Sequence, residues 1–513
     1  MSAAVNVLVV GAGPHTRLNH LPALAAAQDA GLAGTITGID LPDASATAVE
    51  YGTPGRPRRM PVIAVQPFPA SRRALPSGVR RVLDGAVERE RIGAVVVATE
   101  PSVHLPYALW AMERGLPVLL DKPLTVHPGA STDPAAAAAI ADDFDTLLDA
   151  YRAARRRDPR MVVSVLSQRR WHPAFRRVRE LISEVAKATN CPVTSVQSSH
   201  GDGQWRLPDE LVNLAYHGFD RGYGKAAHSG YHHFDTVPWW LAAGERPDKE
   251  IDEIEVHAAC TRPTDFLAQL TVDDHARLLP GFADRNPYTE QDLHRLTADH
   301  GEIDVFLTVA YRSRGRVMAL GSHNLAHTTF SQRGNLHPVP SGLYKSNGRI
   351  GQETHIIQQG PFQALHLHVL QTLHGVEDGI DRRAAGGADH IELHIFRNDR
   401  LRPDWQRHRM LGFTDLIQGS GDNAVLPTQR SARTCAVTEF LSHLNGRTPR
   451  TDMASDLADH RRPARLMAAA YLSMSRRRAD ASQPAAPITL DFHPATAPAQ
   501  HAGRSLAALG ATR

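Results

Sequence analysis

The chain has 513 residues, with 57 Lys and Arg against 54 Asp and Glu, so its formal charge is only +3. Acidic residues are interspersed almost everywhere, which excludes a nucleic-acid stripe and leaves the arginines of 152–160 as one solvated helix face. Cys191, Cys260 and Cys435 form no CxxC pair, no apolar run reaches membrane-spanning length, and Met1 leads straight into an apolar strand. A cytoplasmic protein with no disulfide framework, no membrane partner and no nucleic-acid partner is expected, long enough for two domains.

Residues 5–10 read as a buried strand, followed directly by Gly11-Ala12-Gly13-Pro14-His15-Thr16 and an apolar helical segment over 18–30. Strand, glycine turn and helix in that order are the setting in which a GxGxxG-like turn holds a pyrophosphate, although Thr16 stands where the third glycine would be. The next strand, 35–39, ends in Asp40, where a carboxylate bonds both hydroxyls of an adenosine ribose and repels a ribose phosphate. NAD is therefore expected over NADP. Residues 52–76, rich in Pro and Arg, read as an irregular excursion before a helix over 80–91.

Residues 94–123, AVVVATEPSVHLPYALWAMERGLPVLLDKP, then read as a strand, a crossover helix over 104–114 and a parallel strand over 116–120. Ligands in an open parallel sheet lie beyond the carboxyl ends of the strands, the side on which Thr99, Pro101, His104 and Lys122 fall. A lysine at the end of a buried strand loses hydration, which lowers its pKa and suits it to exchange a proton with a reacting hydroxyl. An Ala-rich helix over 132–157, with Asp142, Asp143 and Asp145 on its polar positions, and a strand over 161–166 close the first domain.

Four motifs, GAGPHTRLNHLPAL, ATEPSVHLPYALWAMERGLPVLLDKP, SQRRWHPAF and GYHHFDTVPWWLAAG, occur in the order and approximate spacing of the Gfo/Idh/MocA oxidoreductases, which the chain resembles over nearly its whole length. The resemblance implies an α/β chain: an N-terminal Rossmann dinucleotide-binding domain over 1–168, then an α+β domain over 169–478 with a large, mostly antiparallel sheet. A tail over 479–513, disordered beyond a possible strand at 488–492, would follow. It also implies that Gly11, Gly13 and Asp40 hold the adenosine half of NAD, that Thr99, Pro101 and His104 line the nicotinamide side, and that Lys122 contacts the nicotinamide ribose and substrate. Arg170 matches an arginine following the sixth strand, and His232 falls on the catalytic histidine. Four residues earlier the family commonly has an aspartate; here the residue is His228. Either the chemistry runs on Lys122 and His232 alone, or His228 and a nearby carboxylate such as Asp235 share the missing role.

From the residues alone, 234–242 reads as a helix with Pro238 in its first turn. That puts His232 and His233 at its N-terminal edge, where the positive end of the helix keeps an imidazole neutral and able to accept a proton. The echo Tyr216-His217-Gly218-Phe219-Asp220 and Tyr231-His232-His233-Phe234-Asp235 raises a metal site, but Gly230 is expected to break the helix and no metal is expected. Asp220, Arg221, Tyr223 and Lys225 suit a polyhydroxylated ligand. Strands are expected over 304–311, 316–321, 327–333, 354–358 and 390–396, with 305–309 covered on both faces, and 348–353 as a turn. One face of such a sheet is free to form a homo-oligomer, a dimer or tetramer.

The function expected is an NAD-dependent dehydrogenase acting on a secondary hydroxyl of a sugar, sugar derivative or cyclitol. Its rivals are an NAD-dependent glycosidase that oxidises transiently and eliminates, and a non-catalytic dinucleotide sensor.

Overall fold

The computed structural model describes residues 4–42, 47–53, 55–70, 72–212, 216–337, 347–374, 379–421, 424–479 and 488–491. Its contacts divide the chain into two units. Unit 1 comprises 1–127, 140–175 and 418–464, and unit 2 comprises 128–139, 176–417 and 465–513. The grouping is interleaved and does not follow a linear division at 168 and 478.

Unit 1 is built on a seven-stranded sheet in the order β3-β4-β2-β1-β5-β6-β7. Its strands are β1 (Val5–Val10), β2 (Ala33–Asp40), β3 (Ala48–Thr53), β4 (Arg56–Ala64), β5 (Ala94–Val97), β6 (Val118–Leu120) and β7 (Val163–Val165). β1 pairs in parallel with β2 on one side and β5 on the other, so the chain switches direction across the sheet at the end of β1. That switch point is where an open α/β sheet leaves a crevice. Val7–Val10 of β1 and the apolar runs of β5 and β6 are buried on both faces, with α1 (Leu21–Asp29), α2 (Ser77–Glu90), α3 (His104–Glu113) and α4 (Pro134–Arg157) as the helices between strands.

The core of this unit draws on a distant stretch. α12 (Gln429–Leu444) contributes Ala432, Ala436, Val437, Phe440 and Leu441 to the cluster formed by Val7, Val9, Leu21, Leu24, Val96 and Trp171.

Two expectations fail here. Residues 52–76 are not wholly irregular, because β3 and β4 form an antiparallel hairpin. β4 bonds β2 only from Val62 onward, so Pro57 and Pro61 lie where one strand edge is open and a missing N–H costs nothing. Asp143 is not on a polar face but buried, accepting hydrogen bonds from Thr125 Oγ1 at 3.2 Å and His127 Nε2 at 2.8 Å.

Unit 2 carries a nine-stranded sheet in the order β15-β14-β13-β12-β8-β11-β10-β9-β16. These strands are β8 (Ser195–Gly201), β9 (Glu253–Thr261), β10 (Asp304–Ser313), β11 (Arg316–Ala326), β12 (Arg349–Gln359), β13 (Gln363–His374), β14 (Glu392–Arg397), β15 (His408–Leu411) and β16 (Ile488–Asp491). Among the described residues only β8 and β11 pair in parallel. Residues 348–353, expected as a turn, begin β12, and 327–333, expected as a strand, contribute one isolated bridge at Ser331. The 305–309 strand is covered on one face only: Val305, Leu307 and Val309 are buried while Phe306 is 51% exposed. The strand at 488–492 exists as β16, and the rest of the tail lies outside the described residues.

Between β9 and β10, four short helices, α8 (Pro263–Gln269), α9 (Val272–Leu278), α10 (Phe282–Arg285) and α11 (Glu290–Leu296), supply small apolar clusters around Phe266, Leu293 and Phe282. α9 and α11 start in capping boxes, Thr271 with Asp274 and Thr289 with Asp292.

Because Phe440 is 1% exposed in the unit 1 core, Phe440→Ala should cost about 3–5 kcal/mol in denaturant unfolding. NAD binding should fall in parallel, which isothermal titration would check.

Candidate active site

The glycine turn of unit 1 is fixed from three sides. Gly11 has φ +98°, and a Cβ there would stand 2.6 Å from the carbonyl oxygen of Ala98, so only glycine fits. Thr16, in place of the third glycine, donates its hydroxyl to the Gly11 carbonyl at 2.6 Å. Asp40 accepts the Ala12 N–H at 3.0 Å through one carboxylate oxygen and the Leu41 N–H at 2.8 Å through the other. A Cβ on Gly13 would meet nothing within 4 Å. A backbone open at Gly13, a following helix and a carboxylate at the end of β2 fit the pyrophosphate and ribose of a dinucleotide.

Beyond β5, Thr99 and Pro101 are half-buried, whereas His104 is buried at the start of α3. Its Nδ1 lies 2.9 Å from the Pro123 carbonyl and its Nε2 3.0 Å from that of Thr99. Burial lowers its pKa, and with both nitrogens facing backbone carbonyls the ring packs between two turns.

Lys122 is half-buried at the end of β6, and the residue before it is held tightly. The Asp121 carboxylate accepts from His15 Nε2 at 3.2 Å, from His20 Nε2 at 3.3 Å and from the Lys122 backbone N–H at 2.8 Å. Burial alone would raise its pKa, but the two imidazoles overcome that and hold it well below the usual carboxylate range. His15, His20 and Asp121 have the composition of a metal site, yet their protons are already assigned. Asn19 is oriented by Arg433 of α12, which donates to its Oδ1 at 2.7 Å, so its amide N–H faces His15 Nδ1 at 3.2 Å. That leaves the Nε2 proton of His15 for Asp121 and makes the trio a hydrogen-bonded clasp. The sequence reading missed His15, His20, Asp121 and Asn19; the signal was two histidines in the first turns of a helix leaving a glycine turn.

Arg170 is 3% exposed and donates to the Ala454 carbonyl at 3.2 Å and to Asp459 at 3.4 Å. It ties two stretches of unit 1 together from inside.

In unit 2 the segment carrying His228 and His232 is helical throughout. A wider π-type turn over Ala226–Gly230 runs straight into α7 (Tyr231–Gly244), and Gly230 itself is helical at φ −60° and ψ −35°. Gly230 therefore does not break the helix; it permits close packing, since a Cβ would stand 3.0 Å from Leu325 Cδ1. Pro238 is internal to α7, and the helix starts before His232, at Ala226. Its free N–H groups are met by Glu302, which accepts from Ala226 at 2.8 Å, and by the Tyr471 hydroxyl, which accepts from Ala227 at 3.0 Å. The positive helix end is thus more than a turn away from His232.

His228 and His232 sit four residues apart, His228 half-buried and His232 7% exposed. Asp235 is fully buried within α7. Lys225, expected on a ligand face, has no exposed surface: its ammonium pairs with Asp202 at 2.8 Å and meets His200 Nδ1 at 3.0 Å. Burial lowers the Lys225 pKa against the pull of Asp202. Asp202 in turn stays well below the usual range, because Lys225 and His327 outweigh its burial. Tyr223 is also buried, while Asp220 and Arg221 are exposed; the side chains of Tyr216 and His217 lie outside the described residues.

Residues 5–143 match the sequence profile of Gfo/Idh/MocA, described as an oxidoreductase family with an NAD-binding Rossmann fold. This segment carries the NAD-binding fold of the Gfo/Idh/MocA oxidoreductases. No curated protein matches the sequence. Among solved structures, an inositol dehydrogenase homologue from Azotobacter vinelandii, complexed with NADH and myo-inositol, is 14% identical with a TM-score of 0.53, over 95% of this chain and 97% of that one. An aldose-aldose oxidoreductase from Caulobacter crescentus is 13% identical with a TM-score of 0.51, over 95% and 99%. Levoglucosan dehydrogenase, in complex with NADH and levoglucosan, is 13% identical with a TM-score of 0.50, over 95% and 99%. At these identities the likeness concerns the fold alone.

Two outcomes follow from this geometry. Asp40→Ala removes a charged acceptor, so NAD affinity should fall about tenfold or more while NADP affinity changes less, as fluorescence titration would measure. For His15, burial pushes the imidazole from 6.5 down to about 4, so the unfolded chain binds its proton first as the pH falls. Stability from this group is complete above 6.5 and lost as the pH falls toward 4; His15→Gln should flatten that part of a Tm-against-pH curve.

Proposed function

We propose that this protein is an NAD-dependent dehydrogenase acting on the CH–OH group of a sugar, sugar derivative or cyclitol. The observation that carries the reading is the clasp at Asp121. It ties the backbone of Lys122 to the helix that leaves the glycine turn, which supports a role for this lysine at the carboxyl end of the sheet. The Azotobacter and levoglucosan relatives, each bound to NADH and a polyhydroxylated compound, support the substrate class.

Gly11, Gly13 and Asp40 would hold the adenosine and pyrophosphate portions of the cofactor, and Thr99 and Pro101 its nicotinamide side. NAD supplies the two-electron acceptor when bound. In this reading Lys122 and His232 are each candidates to take the hydroxyl proton as the alcohol is oxidised. Substrate hydroxyls are bonded by exposed or half-buried groups, of which Asp220, Arg221 and His228 are described. The buried Arg170 braces the Ala454 carbonyl, and Lys225 balances the buried Asp202. The open face of the nine-stranded sheet, where Phe306, Leu320 and Met410 are exposed, suits a homo-oligomer.

Screening polyols and sugars for NADH formation tests the reading. Lys122→Ala and His232→Ala should each lower kcat by about 10²–10⁴ while NAD affinity stays within about twofold. Unchanged turnover in either variant removes that residue from the chemistry. Release of a free sugar with no net NADH would replace the dehydrogenase by the transient-oxidation glycosidase.

A further inference from the structure

A group of side chains in unit 2 takes no part in the chemistry proposed above. The antiparallel register of β8 and β12 sets Glu353 opposite His200 and His355 opposite Ser198. α7 brings in a third histidine. Ser198 Oγ lies 3.0 Å from His233 Nδ1, and the His233 ring sits 4.9 Å from that of His200 and stacks on His355 at 5.5 Å. With Nδ1 bonded to the serine, His233 Nε2 is the atom that faces Glu353, 3.8 Å from its Oε1.

That separation is too long for a hydrogen bond. It is close to the spacing of two ligands on one ion, since bonds of about 2.0–2.1 Å at tetrahedral angles set their donor atoms about 3.3–3.4 Å apart. One donor atom from each of His200, His233 and Glu353 lies within 4.8 Å of the other two, so shortening these separations by at most about 1.5 Å closes a site. The trio in unit 1 differs here, because its imidazoles already stand at hydrogen-bond distance from the carboxylate with their protons assigned.

We propose that His200, His233 and Glu353 form a binding site for a divalent first-row transition metal, zinc by preference. Two imidazoles and one carboxylate suit zinc and are too rich in nitrogen for magnesium or calcium. The supporting contacts are those that ligands need: the serine can accept the His233 Nδ1 proton when Nε2 binds an ion, and His355 Nε2 donates to Glu353 Oε1 at 2.9 Å and aims the carboxylate. His233 and Glu353 are buried and His200 is partly exposed, so the ion enters past His200 and its fourth position opens there to water. Lys225 meets the same His200 ring at Nδ1, its charge balanced by Asp202. The ion ties β8 and β12 to α7. Because His233 is the neighbour of His232, the site holds the helix that carries the proposed base.

The test uses the full chain, untagged, and reads metal without NAD or substrate, so its outcome is separate from that of the proposed dehydrogenase. Elemental analysis of the protein purified without chelator should give close to one zinc per chain. After chelator treatment, cobalt(II) should produce the visible band of a tetrahedral nitrogen and oxygen site that saturates at one equivalent and is displaced by zinc. Glu353→Gln and His233→Gln should abolish the band, and Ser198→Ala, which leaves every ligand in place, should weaken cobalt binding about tenfold. The double variant His366→Ala with His394→Ala, on the open face of the sheet, should leave it unchanged. Absence of a saturable band, a band that survives in Glu353→Gln or is unaltered in Ser198→Ala, or a band lost in the open-face variant would each overturn the proposal.

Discussion

One carboxylate accepting three N–H groups holds the N-terminal unit's chemistry in place. Asp121 ends a strand of only three residues, too short to fix the turn after it through ladder bonds alone. Two imidazoles from the helix after the glycine turn supply what the ladder lacks, and the backbone N–H of Lys122 closes the set. The glycine turn and the lysine are therefore parts of one rigid arrangement: a shift of that helix moves both. Arg433, reaching Asn19 from α12, extends the arrangement to a stretch hundreds of residues away in sequence.

The second unit solves a similar problem with other groups. Glu302 and Tyr471 meet the first N–H groups of the long helix, and Asp202 is compensated by Lys225 and His327 where β8 ends. The buried charges of Asp121, Asp202 and Lys225 are hydrogen-bonded, which offsets their desolvation cost. This explains much of the histidine content. His104, His233, His323, His327 and His355 are buried in contact with carbonyls, hydroxyls or carboxylates, and burial pushes His323 down to about 3.

The parallel sheet was legible because its strands are continuous apolar runs bounded by glycine, proline or a charge, and Gly11, Asp40 and Lys122 fell at strand ends that could be placed. β13 went unseen although Leu365 and Leu367 alternate with His366 and His368; histidine on the open face weakened the polar signal without erasing it. The start of α7 was misplaced because Gly230 and Pro238 are read as breakers, and only tertiary packing against Leu325 shows why a glycine sits inside that helix. The roles of His15, His20 and Asp121 could not be read locally: their meeting depends on sheet order, which brings residues 15, 20 and 121 together across a whole crossover.

The contribution of α12 to the first core has a further meaning for how the molecule is made. A ribosome delivers the chain from its amino end, and the surface that awaits Val437 and Phe440 emerges hundreds of residues before they do. Until then the nascent first unit carries an uncovered apolar flank, a binding site for chaperones and a point of vulnerability. Termination before residue 429 would leave the glycine turn on a core that lacks Ala432, Val437 and Phe440.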